Sequence, residues 1–269
     1  MIHYYDCPLC KSKKIRVKFT YTKKPKFETD FDFCKQDYYR EFWECESCSH
    51  MMSVMKFDYK KFYQGEYSNS TYGKKMESVF ERIITLPKSK SDNEKRFNFL
   101  KNQAEFFFGK NYKPKLLDVG SGIGVFPWRV KKEGWDIIAL DPDKNHTDHI
   151  RRKVNLECVN DDFMNFNPKE KYEIITFNKV LEHILNPMKM LKKARKNLKN
   201  KGFIYIEVPS VEAAKSGFER EEFFIEHLHV FSKESLNFLI KKCELKNLIT
   251  KFEIEPSGKF TLRGIAVKN

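Results

Sequence analysis

The spacing of hydrophobic residues changes character near Lys115. From there the chain alternates short apolar runs, turns and stretches of helical spacing, a pattern that indicates a parallel sheet covered by helices. The apolar runs predict five strands, at residues 115–119, 136–140, 156–159, 173–177 and 202–208. Two later β-prone runs, at residues 248–254 and 260–267, predict a closing antiparallel pair. The expected fold class is α/β, with a seven-stranded sheet.

The amino-terminal part has a different pattern. Short β-prone runs at residues 14–21, 41–44 and 51–57 alternate with charged turns and predict a small β-rich module. An aromatic-rich stretch at residues 62–73 follows, and helical spacing then appears over residues 76–84 and 92–108, with Asp92 as the expected N-cap. We therefore divide the chain into a module at residues 1–60, a linker with helices at residues 61–110 and a main domain at residues 111–269.

Composition adds limits on class and partners. The chain has 269 residues, of which 41% are hydrophobic, so it can bury a full core. The first residues lack a leader pattern, and no apolar run reaches the length of a membrane span, so we expect a cytoplasmic protein. Much of the net charge of +14 falls on lysines at helical spacing, which is typical of solvated helix faces. The excess still suits an anionic small-molecule partner.

A glycine-rich loop carries the first chemical signal. Asp118-Val119-Gly120-Ser121-Gly122-Ile123-Gly124 follows a predicted strand and opens a predicted helix. Glycines without Cβ atoms allow a tight turn and let a ligand lie against the backbone. Asp141 ends the next strand, where a carboxylate can accept ribose hydroxyls, and Asp162 follows the third strand, where it can accept the amino group of adenine. Together these features predict a nucleoside site.

The later motifs resemble those of a known family. The segments 172–187, YEIITFNKVLEHILNP, and 201–209, KGFIYIEVP, together with the glycine loop, are similar to the core of class I S-adenosylmethionine-dependent methyltransferases. The resemblance implies a Rossmann-like sheet and S-adenosylmethionine as cofactor. It also implies that Asp118 and the loop glycines hold the methionine part, Asp141 the ribose, and Asp162 with Phe163 the adenine. The predicted cofactor-binding set is completed by Phe126, Pro142 and Asn178.

Cysteine spacing predicts a metal site in the amino-terminal module. Two Cys-x-x-Cys pairs are present, Cys7 with Cys10 and Cys45 with Cys48. Four thiolates form a closed tetrahedral site, so the expected ion is structural zinc (Zn2+) rather than a catalytic metal. The segment between the pairs is longer than in a zinc ribbon, and His50 is a possible substitute ligand. The other cysteines are expected to be plain buried residues: Cys34, Cys158 and Cys243.

Cysteine pairs, an aromatic tract and this core together resemble bacterial methyltransferases that modify nucleotide-linked sugars or surface polysaccharide. The resemblance implies that Glu182 and His183 serve the active site and that Tyr72, with Tyr63 or Tyr67, lines a sugar pocket. His227 and His229 follow the fifth strand at like parity in an extended run, so both could point into the pocket. A helix-start role for His183 and an exposed loop around His227 are the alternatives.

A related group, the ubiquinone-pathway O-methyltransferases, holds a divalent cation with Glu-x-x-Glu-His. Lys179 occupies the first glutamate position here, so we do not predict catalytic magnesium. The expected reaction is methylation of a sugar hydroxyl on a nucleotide-activated sugar or a surface or capsular polysaccharide precursor, with His183 or His227 as base.

Other functions stay open beside it. Carbon methylation of a keto-sugar nucleotide is the nearest alternative, and an RNA methyltransferase or a non-catalytic zinc scaffold are more distant ones. We expect an anionic small-molecule acceptor, namely a nucleotide-linked sugar. We expect no nucleic-acid partner, no membrane span, and a monomer or homodimer.

Overall fold

The protein, a computed structural model, contains two β-sheets, and the structure describes residues 4–31, 38–56 and 75–268. The small sheet is antiparallel and has the order β1 (Ile15–Tyr21), β2 (Arg40–Cys45), β3 (Met51–Met55) and β9 (His229–Val230). A β-rich amino-terminal module is therefore present, as predicted. Its fourth strand, however, comes from the far end of the chain, so the small sheet crosses the boundary that we drew at residue 60.

The large sheet has the seven strands that the sequence predicts. In chain order they are β4 (Lys115–Val119), β5 (Asp136–Asp141), β6 (Cys158–Asn160), β7 (Tyr172–Asn178), β8 (Leu198–Pro209), β10 (Leu245–Ile254) and β11 (Phe260–Lys268). Their order in space is β10-β11-β8-β7-β4-β5-β6. Strands β8, β7, β4, β5 and β6 run parallel, while β11 pairs antiparallel with both β8 and β10. This Rossmann-like arrangement confirms the predicted fold class.

Six α-helices lie in the described residues. They are α1 (Met76–Ile84), α2 (Asp92–Phe108), α3 (Val125–Lys132), α4 (Lys144–His149), α5 (Pro187–Asn197) and α6 (Lys233–Lys242). The first two have the predicted bounds. None of the helices in this part of the chain is long and apolar enough to cross a membrane.

The predicted N-cap of α2 is wrong by one residue. Ser91 has the extended backbone that an N-cap needs, and its side chain accepts a hydrogen bond from Glu94 N. Asp92 is instead the first helical residue, and its carboxylate accepts from Ser257 N and Ser257 Oγ. A serine and an aspartate in tandem are both good caps, and here the tertiary contact with Ser257 accounts for the position of Asp92.

Apolar side chains pack on both faces of the large sheet, because neighbouring residues of a strand point in opposite directions. Leu117 and Ile175 lie in one buried cluster, and Leu116 and Ile174 lie in the other. The first cluster also contains Cys7, Leu9, Cys45, Cys48 and Met52 of the amino-terminal module. The module and the main domain therefore share one hydrophobic core.

Candidate active site

Asp118 lies at the carboxyl edge of the parallel sheet. The register pairs Asp118 of β4 with Thr176 of β7, so side chains of the two strands meet there. Asp118 Oδ1 accepts hydrogen bonds from Thr176 Oγ1 at 2.6 Å and from Asn178 Nδ2 at 2.7 Å. Burial raises the pKa of Asp118 to about 6, although these hydrogen bonds oppose the shift.

Asn178 adds a second acceptor beside this carboxylate. Its amide nitrogen donates to Asp118, while its amide oxygen is buried and has no hydrogen-bond partner within the described residues. A buried oxygen without a donor is costly unless a ligand supplies one. A carboxylate and an amide oxygen side by side fit an ammonium group, such as that of the methionine part of S-adenosylmethionine.

The glycine loop passes between this edge and the segment after β7. Gly120 has φ +70°, and a Cβ added there would lie 2.7 Å from Val180 Cγ2. Glycine is therefore required both by the left-handed backbone and by close approach. Gly122, with φ +53°, donates its N–H to Asp141 Oδ2 at 2.8 Å. Gly124, with φ +81°, packs in the same way against Ile150. The loop is thus fixed on both sides.

Asp141 is held in place by several donors. Besides Gly122, Asp143 N donates to Oδ1 at 2.9 Å, and His146 Nδ1 lies 3.1 Å from the same oxygen. Asp162 is exposed at the end of β6, and its Oδ1 accepts from Met164 N at 2.8 Å. The two carboxylates predicted for ribose and adenine therefore stand after neighbouring strands of one sheet.

The other predicted cofactor residues have different surroundings. Pro142 is exposed directly after Asp141. Phe163 is buried and makes an edge contact with Phe177, with ring centroids 5.8 Å apart. Phe126 lies in the hydrophobic cluster formed with Phe97 of α2, where packing accounts for its burial.

A cluster of Glu182, His183 and His227 lies beyond Val180. Glu182 and His183 belong to a short 3-10 turn, Leu181–His183, that directly follows β7 and Val180. One potential ligand atom from each of the three side chains lies within 4.8 Å of the others. The rings of His183 and His227 have centroids 4.9 Å apart. These distances are also short enough for the three groups to hold a metal ion.

The two imidazoles have defined tautomers when neutral. His183 Nδ1 is 2.9 Å from the carbonyl oxygen of Glu226, and His227 Nδ1 is 2.9 Å from that of Glu222. A carbonyl only accepts, so each Nδ1 donates and the lone pair of each ring lies on Nε2. Burial lowers the pKa of His183 to about 4 and the pKa of His227 well below its usual value. Both rings are therefore neutral bases near pH 7.

The carboxyl group of Glu182 is fully buried. Its side chain is inaccessible, and neither oxygen has a hydrogen-bond partner in the part of the chain that the structure describes. Burial raises the pKa of Glu182 to about 8, although the charge of Lys179 opposes the shift. A protonated carboxyl beside two neutral imidazoles makes a cluster that can exchange a proton internally.

Lys179 and its neighbours form an ionic group that the sequence analysis missed. Lys179 Nζ donates to Thr261 Oγ1 at 2.7 Å, and its N–H donates to the carbonyl of Glu207. The Glu207 carboxylate accepts from Arg96 Nε at 2.9 Å and lies 3.3 Å from Arg263 Nε. Arg96, Glu207 and Arg263 come from α2, β8 and β11, whereas Lys179 follows β7, so no sequence spacing links the group.

The remaining predicted residues divide into two groups. His229 does not enter the cluster of Glu182, His183 and His227, and the parity argument for it is wrong. Its Nδ1 is 3.0 Å from Nε2 of His50 in a buried pair, because β9 pairs with β3. Three tyrosines predicted near the acceptor lie outside the described residues: Tyr63, Tyr67 and Tyr72.

The four cysteines of the module come together. Their sulfur atoms lie within 4.8 Å of one another, with Cys7 Sγ and Cys48 Sγ 3.7 Å apart and Cys10 Sγ and Cys45 Sγ 3.5 Å apart. Zinc–sulfur bonds of about 2.3 Å place tetrahedral ligands roughly 3.8 Å apart, so the set fits zinc. Among the other cysteines, Cys158 and Cys243 are buried as predicted, and Cys34 lies outside the described residues.

Comparison with known proteins agrees with the main domain. A family model described as "Methyltransferase domain" matches residues 93–249. The ubiquinone biosynthesis O-methyltransferase of Aliivibrio fischeri is 30% identical over 121 residues, covering 42% of this chain and 50% of that protein. That of Proteus mirabilis is 26% identical over 121 residues and is covered to 47%. The chain thus spans about half the length of these relatives.

Solved structures show the same fold. The magnesium protoporphyrin IX methyltransferase of Synechocystis, with bound S-adenosylhomocysteine (SAH), has a TM-score of 0.58 at 13% identity and covers 78% of this chain and 100% of its own. The 1,6-didemethyltoxoflavin-N1-methyltransferase of Burkholderia thailandensis has a TM-score of 0.57 at 13% identity, with 90% and 99% covered. Because the family model covers more than half of its length, the chain belongs to the methyltransferase domain family of S-adenosylmethionine-dependent enzymes.

Proposed function

We propose that the protein methylates a hydroxyl oxygen of a small acceptor and that His183 and His227 form its base. The observation that carries this proposal is the pair of neutral imidazoles with Nε2 lone pairs beside buried Glu182. The turn that carries Glu182 and His183 follows Val180, which packs against Gly120 of the glycine loop. A base is thereby held close to the site expected for the methyl donor.

The residues would divide the chemistry as follows. S-adenosylmethionine, when bound, supplies an activated methyl group whose sulfonium leaves as a neutral thioether. Asp118 and Asn178 would hold its ammonium group, and Asp141 its ribose. The hydroxyl proton of the acceptor would pass to Nε2 of His227 or His183, and the resulting imidazolium would release that proton to water once the product leaves, while Glu182 would keep its own proton. Alignment of donor and acceptor supplies most of the remaining rate enhancement.

We propose a sugar hydroxyl on a nucleotide-activated sugar or polysaccharide precursor as the acceptor. The net charge of +14 suits an anionic substrate, and the resemblance described for the cysteine module and aromatic tract supports a sugar. The Aliivibrio fischeri relative is named an O-methyltransferase, which supports oxygen as the methylated atom.

The test is methyl transfer from labelled S-adenosylmethionine, followed by mass spectrometry, to three acceptor classes: hydroxy-sugar nucleotides, 4-keto-sugar nucleotides and catechols. We expect transfer to the first class. Transfer to the keto-sugars alone would favour carbon methylation, and transfer to none of the sugars would refute the acceptor. His227→Gln should lower kcat by roughly 10²- to 10⁴-fold. Its affinity for S-adenosylmethionine, measured by calorimetry, is the control and should not change.

We also propose that Cys7, Cys10, Cys45 and Cys48 bind one structural zinc ion. Four thiolates leave no open coordination position, so the ion would stabilise the module rather than take part in the reaction. Elemental analysis should find one zinc per chain, and Cys45→Ser should lose it and lower Tm. Cys243→Ser, at a buried cysteine outside the set, is the matched control and should retain the metal. A full zinc content in the Cys45 variant would contradict the assignment.

A further inference from the structure

We propose that Glu28 and Arg40, in the amino-terminal module, are positioning residues for His227. The inference rests on the proposed function only in that His227 is taken as part of the base. Neither residue carries a sequence signal for catalysis, and they lie far from His227 along the chain. Contacts across the interface between the module and the main domain connect them to the backbone near His227.

Glu28 holds the backbone just before His227. Its Oε1 accepts a hydrogen bond from Ile225 N at 2.7 Å, and Ile225 is two residues from His227. The same oxygen is 2.7 Å from Arg40 Nη2. Both side chains of this ion pair are 0% exposed. A loop amide is thus bound to a charged acceptor that water does not reach, which makes the hydrogen bond strong and its direction fixed.

Arg40 and Tyr38 fix the carboxylate of Glu28 in turn. The guanidinium carbon of Arg40 lies 3.9 Å from the centroid of the Tyr21 ring, and Arg40 Nε donates to Tyr38 Oη at 2.6 Å. Tyr38 Oη donates to the other carboxylate oxygen of Glu28. Buried ion pairs add little net stability compared with apolar packing. The geometry that this pair imposes on Ile225 is therefore the better explanation for it.

The module also fixes the backbone just after His227. Ser53 N, in β3, donates to the carbonyl of Leu228 at 3.0 Å, and Leu228 N donates to the carbonyl of Glu182 at 2.7 Å. His227 consequently lies between two backbone positions that the amino-terminal module holds. The ring is oriented by its own Nδ1 contact with Glu222. Loss of the Glu28 contact would release one side of this arrangement.

The test compares two double variants that differ in one acceptor oxygen. Glu28→Gln with Arg40→Met removes both charges and keeps an oxygen for Ile225 N, whereas Glu28→Leu with Arg40→Met removes the oxygen as well. NMR titration of labelled histidine, with His227→Gln for assignment, measures the pKa of the His227 ring directly and does not require a methyl-accepting substrate. We expect a depressed pKa for His227 in the glutamine form and a pKa near 6.5 in the leucine form. A depressed pKa in both would overturn the inference.

Methyl transfer separates this inference from the proposed function. We expect the leucine form to lose roughly 10- to 100-fold in kcat, with KM for S-adenosylmethionine unchanged, and the glutamine form to stay within about threefold of wild type. A changed His227 pKa without loss of kcat would support the positioning role and refute His227 as part of the base. Glu44→Gln, which removes a carboxylate bonded to Arg16 on the same sheet, is the control and should alter neither readout.

A measurement on the wild-type protein covers the case in which the leucine form does not fold. The amide of Ile225 should exchange with deuterium as slowly as core amides, because its acceptor is a buried carboxylate. Rapid exchange of this amide in the folded protein would also overturn the inference.

Discussion

Gly120→Ala tests whether the glycine loop packs against Val180, directly before the turn that carries Glu182 and His183. The backbone of Gly120 has φ +70°, and an added Cβ would lie 2.7 Å from Val180 Cγ2 and 3.5 Å from Val180 Cγ1. Val180 is β-branched and has few alternative rotamers, so it cannot turn away freely. The substitution therefore combines backbone strain with overpacking.

The size of the effect follows from these two contributions. An L-residue in the left-handed region costs about 1–2 kcal/mol, and an inserted methyl in a packed site costs about 1–3 kcal/mol. We expect Gly120→Ala to lower the free energy of unfolding by roughly 2–5 kcal/mol. Gly122→Ala is a matched control, because Gly122 has φ +53° and, among the described residues other than its chain neighbours, no atom lies within 4 Å of an added Cβ. It should cost only about 1–2 kcal/mol.

Urea unfolding of the ligand-free variants measures this difference. Adding Val180→Ala should recover part of the loss in Gly120→Ala and none of the loss in Gly122→Ala, as a positive coupling in a double-mutant cycle. Equal destabilisation by the two alanines, or no recovery with Val180→Ala, would refute the contact between loop and turn.

Three further predictions concern charge. Burial raises the pKa of Asp118 from 3.8 to about 6, so the folded state keeps a proton that the unfolded state releases, and the free energy of unfolding should fall as pH rises from about 4 to 6. Calorimetry should show a smaller fall with pH in Asp118→Asn. The same variant should bind S-adenosylmethionine at least about tenfold more weakly. Because the lowered pKa values of His183 and His227 keep both rings neutral, and the pKa of about 8 keeps Glu182 protonated, kcat should be constant between about pH 6 and 7, and a decline toward about pH 6 would contradict the neutral imidazole pair. Arg263→Met strands the buried carboxylate of Glu255, leaves Glu207 paired with Arg96 alone, and should cost about 3–5 kcal/mol in urea unfolding, whereas Arg16→Met at an exposed ion pair should have a much smaller effect.

The positions of the predicted cofactor-binding residues at the carboxyl edge of the sheet could be predicted because they follow from strand order. Once β4, β5 and β7 are placed as parallel neighbours, Asp118, Asp141 and Asn178 must end at one edge. Thr176 could have been added by the same reasoning, since the register puts it beside Asp118. The bounds of two helices could also be predicted. Helices α1 and α2 begin and end where expected because their apolar spacing is continuous.

The surroundings of the histidines could not be predicted in this way. His227 and His229 have the same parity along the chain, yet one contacts His183 and the other is buried against His50. The difference arises because β9 pairs with β3, and a two-residue strand has no sequence signal of its own. Glu28 and Arg40 were also missed, since an ion pair becomes visible only when the fold brings its partners together.

These two outcomes bear on how the protein selects its acceptor. The carboxyl edge that carries Asp118 and Asp141 belongs to one sheet, whereas the environment of His227 is built by contacts between that sheet and the amino-terminal module. Substitutions in the module can therefore alter the geometry of the proposed base while leaving Asp118 and Asp141 in place. For this reason the identity of the acceptor should depend more on the module and its Glu28 contact than on any residue of the glycine loop.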